Sequence, residues 1–126
     1  MRSITSKHVQ YALASVFVVL GGWCLASPSS VLALAIRPEF QSGAPIVPIL
    51  IGAFGAQALI AGLFAALSEF KKRTFLAYGV ALLPFFVFDW YFYYQEPMLT
   101  EVGMLDALGN AFMLGLCWLG WRRAPR

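Results

Sequence analysis

The chain has 126 residues, of which 60% are hydrophobic and only 12% are charged. Soluble domains average about 25% charged residues, and so few cannot cover the surface of a soluble fold this small. The composition therefore argues against a soluble enzyme, a disordered chain or a nucleic-acid module. The net charge of +3 does not change this, because the basic residues lie between apolar runs, where membrane proteins carry them.

A bilayer core is about 30 Å thick, so a spanning helix needs roughly 20 apolar residues. Four runs fit: Val9 to Ala26, Ile46 to Leu67, Phe75 to Tyr94 and Val102 to Trp121. Lipid offers no hydrogen-bond partners, so these segments must be helical. The expected fold is all-α: one integral-membrane domain over residues 1–126, arranged as a four-helix bundle. Cys24-Leu25-Ala26 before Ser27 loosely fits a signal-peptide cleavage site, but the first run reads better as a retained span.

Between the first two spans, Ser27 can cap a helix that has Pro28 at its first position. Val31, Leu32, Leu34, Ala35 and Ile36 then form a short apolar segment ending near Arg37-Pro38. It reads equally as an interfacial helix or as a loop packed on the bundle mouth. The second and third loops are tight, so spans two, three and four are expected to be antiparallel neighbours. Eight of the nine basic residues flank the N-terminus, the loop Glu69 to Arg73 and the C-terminus; Arg37 is the ninth. The positive-inside rule puts both termini and the middle loop in the cytoplasm, and a bacterial inner membrane is expected.

Cys24 and Cys117 sit near opposite ends of their spans, roughly 20 Å apart in height at the helical rise per residue. That is too far for a disulfide. His8 is the only histidine, so a bis-histidine haem within one chain is impossible and a zinc site is not expected. No metal is assigned, and no cofactor beyond a lipid or quinone. Small residues at Gly103, Ala107, Ala111 and Gly115, and at Gly52 and Ala56, suit close helix packing, within the bundle or against a partner. Gly21-Gly22, Gly55 and Gly62 offer further such surfaces.

Acids inside a span are costly and usually face the bundle interior. Asp89 lies six residues before Gln95, roughly 9 Å below the outer edge, and Asp106 lies at similar depth on the next helix. Asn110 is one turn below Asp106, Tyr93 one turn above Asp89, and Gln57 lies mid-span on the second helix. Pro84 should kink the third span beneath Asp89. These residues form a candidate outward-opening polar pocket between spans two, three and four. Asp89 and Asp106 are its candidates for proton transfer, since two carboxylates in a low-dielectric site tend to share one proton. The plainer reading keeps both acids shallow, with Asp106 at the favourable dipole end of its helix. The aromatic run from Phe85 to Tyr94 suits an interfacial belt, with room for a flat apolar ligand.

From Pro45 to Leu83 the chain runs through Pro45-Ile46-Val47-Pro48, a span rich in Gly and Ala ending at Gly62-Leu63, and the turn Lys71-Lys72-Arg73-Thr74. This resembles the DoxX-like group of small bacterial four-helix membrane proteins. The resemblance implies the same four-helix architecture, and for some members a role as quinone-linked oxidoreductase subunits. Where that group usually has an acid in the second span, this chain has Gln57, and no catalytic residue is carried over.

Three functions compete. The first is an accessory or structural subunit of a larger membrane complex, partnered by other transmembrane subunits or by copies of itself. The second is a lipid- or quinone-binding pocket protein, with or without proton-transfer chemistry at Asp89 and Asp106. The third is a dimeric exporter of small cations.

Overall fold

The computed structural model describes residues 5–125. Arg2 and Arg126, both used in the orientation argument, lie outside the described residues. Among the described residues there are five α-helices: α1 (Ser6–Ala26), α2 (Pro28–Ala35), α3 (Ile46–Leu67), α4 (Lys72–Trp90) and α5 (Leu105–Arg123). A 3-10 turn follows α2 at Pro38–Phe40, and a π-helical turn, Tyr91–Gln95, prolongs α4. No strand occurs among the described residues; an isolated antiparallel bridge joins Ile36 and Leu99.

Among the described residues three helical segments are long and apolar enough to cross a membrane: Ser6–Ala26, Ile46–Leu67 and Lys72–Gln95. The fourth expected span corresponds to α5, which does not meet that measure. It begins at Leu105 rather than Val102, and Asp106, Asn110, Arg122 and Arg123 lower its hydropathy.

Local signals explain the helix ends. Thr5 and His8 form a reciprocal cap on α1: the His8 amide donates to Thr5 Oγ1 and the Thr5 amide to His8 Nδ1, each at 3.3 Å. His8 therefore has a structural task at the helix start. Pro28 occupies the first turn of α2 as expected, but the Ser27 hydroxyl makes no cap bond. Ser30 supplies the local polar contacts instead: Trp23 Nε1 donates to its hydroxyl, which in turn donates to the Ser27 carbonyl, both at 2.9 Å. Pro84 is accommodated inside α4 without ending it.

The packing order differs from the expected one. α1 packs on α3 and α5, α4 packs on α5, and α2 packs on α1 and α3. The consecutive helices α3 and α4 do not pack along their length. The reason lies in the glycines of α1 and α3. A Cβ at Gly55 would stand 2.6 Å from the Gly21 carbonyl oxygen, and one at Gly62 would stand 2.8 Å from Val18 Cγ2. These bare positions draw α1 onto α3, so α1 takes the place expected for α4.

The molecule thus has two ends. At the terminal end, residues 5–9, the link 68–71 and residues 121–125 come together; at the loop end are α2 and residues 91–104. The main core lies toward the terminal end. Phe75 is fully buried, its ring set against Gly120, where an added Cβ would come within 2.3 Å. Phe70 meets Phe75 edge-on, and Tyr78 packs at a tilt against Phe70. Buried positions on α5 and just beyond it run Asn110, Met113, Cys117, Gly120 and Ala124, alternating three- and four-residue steps as a packed helix face requires. Lys7, Lys71, Lys72, Arg73, Arg122 and Arg123 all lie at this end.

Candidate functional site

A cavity of 690 Å³ opens among all five helices in the loop-end half of the molecule. Leu20 and Cys24 of α1, Val31 and Ala35 of α2, and Leu50, Ile51 and Phe54 of α3 form one side. Pro84, Phe85 and Phe88 of α4 with Leu99, Val102 and Leu105 form the other. Among the described residues, Asp89 and Asp106 are the only ionisable acidic or basic side chains on the wall. The space is therefore an apolar cavity with an acidic corner, and its size suits a small-molecule ligand.

The corner is held by Asn110. Its side-chain Nδ2 donates to Asp89 Oδ2 at 3.4 Å and to Asp106 Oδ2 at 3.2 Å. One amide thus ties α4 to α5 through two carboxylates. Asn110 can serve both because Asp106 and Asn110 are one helical turn apart on the face that meets α4. Asp89 is 2% exposed, and Asp106 is half-buried in the first turn of α5. In such a corner the carboxyl oxygens can accept hydrogen bonds from a ligand head group.

Sequence reasoning thus brought three of its five pocket residues, Asp89, Asp106 and Asn110, to one place. The other two stand apart. Gln57 is exposed on α3 and is not on the cavity wall. Tyr93 falls in the π-helical turn, where its ring lies under the Arg37 guanidinium at 5.6 Å. The expected polar pocket between three spans is instead an apolar one to which α1 and α2 contribute.

The small-residue stripe also divides. A step of four residues overshoots a helical turn by about 40°, so a stripe at that spacing drifts around the helix. Gly103 precedes α5 and abuts the Ala35 carbonyl oxygen, 2.5 Å from where its Cβ would be. Ala107 is half-buried, while Ala111 and Gly115 are exposed. On α3, Gly52 is loosely placed, with only Pro28 within 4 Å of an added Cβ, and Ala56 is half-buried. Within the helices the close approaches fall at Gly21, Gly55, Gly62 and Gly120, and Gly103 adds one just before α5.

Two features had weaker sequence signals. Gln10 is buried in α1, and its side-chain amide donates to the Ala65 carbonyl at 2.6 Å and to the Ser68 carbonyl. It satisfies carbonyls at the end of α3 that the helix itself leaves open. Its polar character within an apolar run was the available clue. The second is a clasp over the cavity. The Arg37 amide donates to the Met98 carbonyl and Arg37 Nε to the Leu99 carbonyl, both at 2.8 Å. The Thr100 amide donates to the Ala35 carbonyl at 2.8 Å, and its hydroxyl to the Leu34 carbonyl. Arg37, the one basic residue away from the terminal flanks, was the clue here.

Among the described residues no group of three or more His, Cys, Asp or Glu side chains could hold a metal ion. No protein-family model, curated protein or solved structure matches the chain.

Proposed function

We propose that the protein is an integral membrane protein that binds a lipid-like amphiphile in the cavity, with its polar head at Asp89 and Asp106. The observation that carries this reading is the cavity itself: apolar walls ending at two carboxylates, on a molecule with three membrane-capable helices. A hydrocarbon body suits the walls, and a head group with N–H or O–H donors suits the acids. A quinol is the other ligand of this shape.

In this reading α5 is the fourth span. Asp106 and Asn110 meet at the cavity corner, so the bundle shelters them from lipid, while the exposed Arg122 and Arg123 lie at the helix end. The six basic residues at the terminal end support an orientation with that end, and both termini, in the cytoplasm of a bacterial cell. The DoxX-like resemblance agrees with this architecture and adds nothing to the site.

The test is lipid extraction and mass spectrometry on the purified protein beside Asp89→Asn and Asp106→Asn. The reading expects one amphiphile per chain in the wild type and reduced occupancy in both folded variants. Unchanged occupancy in both would refute a role for the acids.

A second reading, the accessory subunit, is favoured by the uncovered Ala111 and Gly115 face of α5. Protein partners recovered at fixed ratio with an empty cavity would support it over the first. The cation exporter has no comparable support, since the acids adjoin an apolar space at one end of the molecule.

A further inference from the structure

The cavity can be reached from only some directions, and the structure distinguishes them. At the loop end its cover is the α2 segment joined to residues 98–100. Three bonds at 2.8 Å and the Thr100 hydroxyl bond fasten the two strips together. Gly103 lets the second strip lie directly against the Ala35 carbonyl. Toward the terminal end, the core around Phe75 and Leu82 fills the bundle. Around the sides, α3–α1, α1–α5 and α5–α4 are packed pairs, whereas α3 and α4 are not.

α3 and α4 are joined at the terminal end by the short link 68–71 and part beyond it. Leu50 and Phe54 on α3, and Phe85 and Phe88 on α4, line the cavity and remain exposed. Such an apolar opening between two membrane-capable helices faces hydrocarbon in a bilayer, not water.

We propose that the hydrocarbon chain of a bilayer lipid enters the cavity sideways, between the loop-end halves of α3 and α4, beneath a cover that the 34–37 and 98–100 segments hold shut. This rests on the membrane-binding reading above and adds the route and the gate. The chain passes Phe54 and Phe88, and the head group reaches Asp89 and Asp106 last. Exchange with the surrounding bilayer then needs no passage of the chain through water.

Cys24, on the cavity wall and buried, is a built-in reporter. The Cys117→Ala variant, which leaves Cys24 as the single thiol, is reconstituted in phosphatidylcholine vesicles. It is exposed either to a maleimide carrying a long alkyl chain or to a charged, water-soluble methanethiosulfonate. The proposal expects the lipid-soluble reagent to modify Cys24 while the charged one leaves it free. It further expects Thr100→Val combined with Arg37→Ala, which removes the two side-chain bonds and keeps the two backbone ones, to loosen the cover and speed modification of Cys24 by the charged reagent. Modification of the unaltered clasp by the charged reagent, or by neither reagent, would overturn the proposal. An absence of co-purifying amphiphile would instead overturn the binding reading, so the two failures are told apart.

Discussion

Asn110 and Gln10 show how single polar side chains stitch an apolar bundle together. Each is buried, and each donates to two acceptors on a neighbouring element or turn. Removing such a donor leaves buried acceptors without partners, at a cost of about 1–3 kcal/mol. Asn110→Leu should therefore lower the thermal midpoint in detergent and loosen α4 from α5. Gln10→Leu should lower it comparably while leaving the cavity's ligand in place, because Gln10 acts at the far end of the molecule. Loss of ligand from both variants alike would mean that occupancy follows overall stability and not the acidic corner. Asp89, Asp106 and Asn110 could be read together from the chain because depth along a helix is simple arithmetic. Gln57 and Tyr93 could not, because rotation about the helix axis is set by neighbours. Gln57 was placed at a plausible height but on the exposed side of α3.

At the scale of elements, the glycines decide which helices touch. Sequence spacing marked Gly103 to Gly115 and Gly52 with Ala56 as packing faces, since small residues four apart suggest a continuous stripe. Shape selects Gly21, Gly55 and Gly62, which the sequence also offered as small surfaces, because a contact needs a matching surface opposite. At Gly55 an added Cβ would stand 2.5 Å from the Leu25 amide nitrogen, whereas at Gly115 nothing lies within 4 Å. Gly55→Val should thus disrupt the α1–α3 pair by more than the about 1–3 kcal/mol usual for overpacking, because backbone rather than a flexible side chain stands in the way. Gly115→Val should leave unfolding of the isolated chain unchanged. If Gly115→Val instead breaks an assembly seen in native membranes, the exposed α5 face is a partner surface and the accessory-subunit reading gains. Helix existence, the helix start at Pro28 and the tight middle link were legible because caps, proline and apolar runs are local signals. The order of packing was not, since tight loops fix which helices are consecutive but not which ones are in contact.

For the whole molecule, the displaced packing has a functional consequence. Because α1 and not α4 lies against α3, the bundle is unpaired along one side, and the cavity forms there. The cover, with Arg37 in it, the opening and the acidic corner then occupy the same half of the protein, while the solid core and Lys7, Lys71, Lys72, Arg73, Arg122 and Arg123 occupy the other. Composition already indicated a membrane environment, but a cavity of this kind has no sequence signature: its walls are the same Leu, Ile and Phe that fill cores elsewhere. The central claim is that this space holds an amphiphile. Native mass spectrometry of the protein drawn gently from its own membrane, beside Val31→Trp, tests it most directly, since a tryptophan on the α2 wall would fill cavity space while both acids stay unmutated. The account predicts one retained lipid-like mass per wild-type chain and none on the folded variant. Equal retention by both, or a bare wild-type chain, would contradict it.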